Sequence, residues 1–131
     1  MTKLKKSAIL LSCALLFVAC RQDYGSKLES AEMDIFFTNP SDEEIARKIA
    51  VYWKENHFLG DKKQFLQLNR NGKSLELKLI AKEKFSMATF SFDERALLKS
   101  LQDSLQKVVE PEQLELVIAD KQFKTLYNIN Q

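Results

Sequence analysis

Two runs of alternating leucine meet at Asn71-Gly72, and no other stretch restricts this chain as much. Asn-Gly between alternating apolar residues is the strongest short-range hairpin signal and favours a two-residue type I′ turn. Residues 62–70 and 73–81 then become paired strands. With Asn71 and Gly72 as the loop, Leu68 opposes Leu75 and Leu66 opposes Leu77. Opposed residues share a face, so all four leucines fall on one side. Phe65, Gln67, Glu76 and Lys78 fall on the other. A three-residue loop would oppose Leu68 to Ser74 and break this agreement, so turn and alternation concur.

Two helices flank the hairpin, each opened by the same device. Residues 41–57 begin with Ser41 and, three residues on, Glu44: the pattern of a capping box. Asp42, Glu43 and Glu44 suit the positive helix end. Ile45, Ile49 and Trp53, with Ala46 and Ala50, form a buried stripe at helical spacing. Ser91 and Glu94 repeat the box ahead of Leu97, Leu98, Leu101, Leu105, Val108 and Val109, and Pro111 bars continuation. His57 stands where a histidine serves free carbonyls at a helix C-terminus.

Strands complete the order. Residues 33–38 alternate, with Met33, Ile35 and Phe37 on one side and Asp34, Phe36 and Thr38 on the other. Leu114, Leu116 and Ile118 alternate after the second helix, Asp120-Lys121 offers a turn, and residues 123–129 have strand composition. Residues 82–90 read as a loop carrying Phe85, Met87 and Phe90. The order β-α-β, β-α-β predicts an α+β domain of the split βαβ, ferredoxin-like kind. Its sheet would be antiparallel in order 4-1-3-2, both helices on one face, with an extra C-terminal strand as a candidate. Phe36-Phe37-Thr38 followed by Ser41, Glu43 and Glu44, and later Asp120, Phe123 and Lys124, also resemble small ferredoxin-like domains of uncharacterised bacterial proteins. That resemblance implies no activity.

The N-terminus carries an address. Lys3, Lys5 and Lys6 precede an uncharged run from Ser7 to Val18, too short for a span of roughly 20 residues and suited to a secretory signal. Phe17-Val18-Ala19-Cys20 then resembles the lipobox of bacterial lipoproteins, cut before the cysteine by signal peptidase II. Phe17 departs from the leucine usual there. Leu10-Leu11-Ser12-Cys13 keeps the leucine but would leave a second apolar run stranded after the cut. The alternatives are an uncleaved anchor helix, or a cleaved signal with Cys20 a plain thiol. The resemblance implies a diacylglyceryl group, with palmitate-type acyl chains, on Cys20. Asp23 is not directly after the cysteine, which implies the outer membrane rather than the inner. The expected division is a signal peptide over 1–19, a tether over 20–31 and one domain over 32–131.

Charge bounds the partners. The chain of 131 residues has 20 Lys and Arg against 18 Asp and Glu. Three lysines leave with the signal and no acid does, so 17 basic residues face 18 acidic ones in what remains. The pI near 8.5 therefore misleads. A near-neutral domain has no electrostatic footprint for nucleic acid. Only Cys20 would survive cleavage, so no internal disulfide can form and packing must supply stability.

Chemistry is sparse in the pattern. His57 is the single histidine, Gly25, Gly60 and Gly72 are dispersed, and the turn after the first strand has no Arg for an anion. The third strand offers Glu76 and Lys78 where an RNA-recognition sheet would place aromatics. The pattern argues against an enzyme, a metal and a cofactor. The expected role is a lipid-anchored, non-catalytic interaction or accessory module of the cell envelope. Its alternatives are an immunity-type inhibitor of a toxic enzyme and a small-ligand-binding lipoprotein. If the helices cover the face of Met33, Ile35 and Phe37, the opposite face carries Phe36, Phe65, Ile80 and Val117 as a candidate surface for an envelope partner or a second copy.

Overall fold

Six strands lie side by side in the order in which the chain makes them. The computed structural model describes residues 24–81 and 91–130. The sheet runs β1 (Ser26–Glu29), β2 (Met33–Phe37), β3 (Gln64–Asn71), β4 (Ser74–Ile80), β5 (Gln113–Ala119) and β6 (Thr125–Asn128). Helix α1 (Glu43–Glu55) joins β2 to β3, and α2 (Phe92–Val108) joins β4 to β5. β2–β3 and β4–β5 are parallel pairs; β1–β2, β3–β4 and β5–β6 are antiparallel. The signal segment, Cys20 and the loop bearing Phe85, Met87 and Phe90 lie outside the described residues.

This sheet corrects the ferredoxin-like expectation. In the split arrangement another strand separates the parallel partners, and the second crossover runs back across the sheet. Here each βαβ unit is unsplit and the second crossover moves onward. β1 supplies the physical reason. It pairs with β2 through Lys27↔Phe36 and Leu28↔Ile35, occupying an edge that the order 4-1-3-2 would give to another strand. Ser26–Glu29, within the expected tether of 20–31, thus belong to the sheet. Gly25 makes the entry: its φ is +99°, and a Cβ there would stand 2.5 Å from the carbonyl oxygen of Phe37.

Both helices cover one face. Met33, Ile35, Phe37, Leu66, Leu68, Leu75, Leu77, Leu114 and Leu116 meet Ala46, Ile49 and Trp53 of α1, and Leu105 and Val109 beside them. β2 and β3 run one way and β4 and β5 the other, while both crossovers advance in the same direction. With both helices on one face, the two crossovers have opposite hands. One is therefore left-handed, against a preference of about 98% for the right-handed form.

The hairpin places its leucines on that face with a different register. Leu68 pairs with Leu77, Leu66 with Leu79, and Asn71 with Ser74, so the loop is Gly72-Lys73. Gly72 has φ of 64° and Lys73 is not left-handed, the combination of a type II′ turn with Gly first. Sliding a two-residue loop by one position moves each pairing by two residues. Side-chain parity is unchanged, so alternation could not distinguish the two turns.

The helix ends differ too. Asn39, not Ser41, caps the turn Pro40–Asp42 by accepting from the Ser41 N–H, and α1 starts at Glu43. Ser91 does cap α2, accepting from the Glu94 N–H at 3.1 Å. Phe92 and Leu97 on its first turns are exposed, Leu97 by 71%, so the expected stripe is buried only from its middle onward. His57 is left-handed at φ 60° and closes α1 as a Schellman cap. Its N–H bonds Lys54 O, that of Phe58 bonds Trp53 O, and the rings of Trp53 and Phe58 lie 5.1 Å apart.

A candidate binding pocket on the open strand face

The face away from the helices is partly roofed. Gln67 donates from Nε2 to the Tyr24 carbonyl, drawing the N-terminal segment across β2 and β3. From the other side the turn after β5 folds back. Asp120 Oδ1 accepts from the N–H groups of Gln122 and Lys124, and Lys78 Nζ donates to the Phe123 carbonyl at 2.8 Å. Tyr24, Phe36 and Phe123 then meet edge to face, with centroid distances of 5.6, 5.2 and 5.7 Å. Such pairs contribute about 0.5–1.5 kcal/mol each beyond their burial.

Beside this triad lies a cavity of about 440 Å³ lined by Tyr24, Phe36, Phe65, Ile80, Lys121 and Phe123. Among the described residues its walls are four aromatic residues and one isoleucine, with Lys121 the one charged member. Ligand pockets fall in the range of roughly 300–1,000 Å³ and are mostly apolar. Phe123 holds a φ of 60°, an uncommon conformation for a bulky residue that costs about 1–2 kcal/mol. The Asp120 turn enforces it, and the ring, 5% exposed, closes the pocket.

The four residues expected on this face divide. Phe36, Phe65 and Ile80 line the pocket, Phe65 standing 41% exposed at its mouth. Val117 is fully buried, at 0% exposure, between β4 and β6, so it lies beneath the surface and not on it. Tyr24 and Lys121 join Phe36, Phe65 and Ile80 from segments that alternation does not reach, and the ring of Phe123, the first residue of the 123–129 tail, folds over the face. Tyr24 fell in a stretch read as tether, and Phe123 opened a stretch read as strand. A larger trough of about 690 Å³ at the end of β3 and β4 shares Phe65 and Ile80. Loop residues 60–63 form much of its wall, and it has no ring cluster like that of the smaller pocket.

Charged groups elsewhere hold the fold. Arg70 follows Leu66 and Leu68 on the helix-side alternation, an inward arginine that requires carboxylates. Its Nε lies 3.2 and 3.1 Å from the Asp42 oxygens and its Nη2 2.8 Å from Oδ1. Glu112 accepts from the same guanidinium at 3.2 and 3.4 Å. Hydrogen bonds donated to Asp42, then to Glu112, raise the Arg70 pKa above its ordinary value despite partial burial, so it stays charged. Asp42, 1% exposed, is thus a structural partner of Arg70 and not a capping acid. On the strand face Lys63 Nζ lies 3.1 Å from Asp34 Oδ1 but outside hydrogen-bonding geometry, leaving that buried oxygen a charge partner alone.

Among the described residues no group of three or more His, Cys, Asp or Glu is placed to hold a metal, and no helix is long and apolar enough to cross a membrane. Compared with protein-family models, curated proteins and solved structures, the chain matches none.

Proposed function

We propose that this chain is a lipid-anchored, non-catalytic binding module of the bacterial cell envelope, held at the outer membrane through Cys20. Its working surface is the pocket between Tyr24 and Phe123. The observation that carries this reading is the position of Tyr24: the residue forming one wall follows the lipobox cysteine by four residues. Such a span reaches at most about 14 Å. Among the described residues the pocket lining presents four rings, an isoleucine and Lys121, with no carboxylate and no histidine, which suits binding rather than acid–base chemistry.

The anchor is tested by metabolic labelling with a fatty-acid probe. The wild-type chain takes up label, while Cys20→Ser remains uncut and unlabelled. Label persisting on Cys20→Ser, and lost instead from Cys13→Ser, moves the anchor to the other cysteine.

A further inference from the structure

We infer that the pocket takes one acyl chain of a phospholipid from the membrane that holds the protein; this rests on the Cys20 anchor. The cavity is apolar, open on one side and of about 440 Å³. Its size suits one hydrocarbon chain, not a folded partner. Its distance from the membrane is set by the tether. An acylated Cys20 sits where the hydrocarbon core begins, and the headgroup layer above is roughly 5–7 Å thick. Tyr24 lies no more than about 14 Å along the chain from that point. Tyr24, one wall of the pocket, is therefore held within about one headgroup thickness of the membrane surface.

The chain that enters belongs to a neighbouring lipid. The acyl groups on Cys20 are committed to the bilayer, because stable anchoring takes about two chains and withdrawing one would undo it. A lipid whose headgroup stays at the surface can swing one tail onto Phe65 and into the space between Phe36 and Ile80. The tail exchanges one apolar surrounding for another, so what it gains is packing against the rings.

The experiment uses the full chain in its own membrane. The photoreactive residue p-benzoyl-phenylalanine replaces Phe65, which is half exposed, so an aromatic replaces an aromatic. A second chain carries it in place of Val51, 55% exposed on α1, as a control. After irradiation the purified protein is mapped by mass spectrometry, which also reads whether Cys20 is acylated. The expected result is an acylated Cys20 and a phospholipid adduct at position 65 about tenfold or more above that at position 51. Each of three outcomes overturns the lipid pocket while leaving an acylated anchor intact. They are a bond from position 65 to a second copy or another protein, a bond to the acyl group on Cys20 itself, and lipid adducts equal at both positions or absent. A phospholipid adduct at 65 on an unacylated chain would overturn the anchor and keep the pocket.

Discussion

Replacing Arg70 with methionine removes the clamp between the start of α1 and the start of β5. Asp42 is the residue left stranded. It is 1% exposed, and the three hydrogen bonds it receives from Arg70 join its carboxylate to the guanidinium. Breaking a buried pair by removing one partner costs about 3–5 kcal/mol, because the remaining charge is uncompensated. Glu112 is 34% exposed and its bonds are longer, so its share is at most about 1 kcal/mol. Asp42 also precedes α1, whose positive end offsets part of the loss, so the expected cost is near the lower figure. For a domain of this size about 3 kcal/mol lowers the melting temperature by roughly 12–24 °C. Urea unfolding of the chain from residue 21 onward measures it. Adding Asp42→Asn to Arg70→Met should recover more than half the loss, since the double variant has no stranded charge. An Arg70→Met cost below about 1 kcal/mol, or a double variant no better than the single, would refute the clamp.

Three further substitutions test local geometry, each by thermal or urea unfolding. His57→Gly should stabilise by about 0.5–1 kcal/mol, because glycine relieves the left-handed cap while the Trp53–Phe58 contact remains. Any loss of stability contradicts the Schellman assignment. Gly25→Ala should cost about 2–3 kcal/mol, since its Cβ meets the Phe37 backbone and its φ disfavours a side chain. A neutral result would mean β1 enters the sheet differently. Gly72→Val should cost about 1–2 kcal/mol through its backbone alone, with no atom within 4 Å to clash, while Asn71→Ala stays within about 0.5. A large cost at Asn71 would return the turn to type I′.

What the residues disclosed in advance were faces. Alternation put Met33, Ile35, Phe37 and the hairpin leucines on one side because burial selects side-chain parity, and parity survives a register shift of two. Strand order was not legible in the same way. The same elements with the same faces fit either 4-1-3-2 or 1-2-3-4-5-6, and the choice turns on which edges are taken. β1 takes one of them, yet Ser26-Lys27-Leu28-Glu29 has a single apolar residue and a composition that reads as linker. An edge strand buries little and signals little. The pocket was half legible. Phe36, Phe65 and Ile80 followed from alternation, whereas Phe123 reaches the face through a left-handed residue and Tyr24 through the Gln67 side chain's bond to its carbonyl, which no periodicity records. Arg70 could have been found, as an arginine in phase with Leu66 and Leu68 announces a buried partner.

Phe36 touches both Tyr24 and Phe123, so changing it disturbs packing as well as binding. Phe65 is the better probe of the working surface, because its ring stands at the mouth. An uncharged naphthylamine dye that brightens on leaving water is titrated into the chain from residue 21 onward, with Phe65→Lys alongside. Saturable binding of one dye per chain is expected for the wild type and its loss in Phe65→Lys, with the melting temperature unchanged. Dye binding that survives Phe65→Lys undiminished, or no saturable binding by the wild type, would contradict the pocket as the site of function.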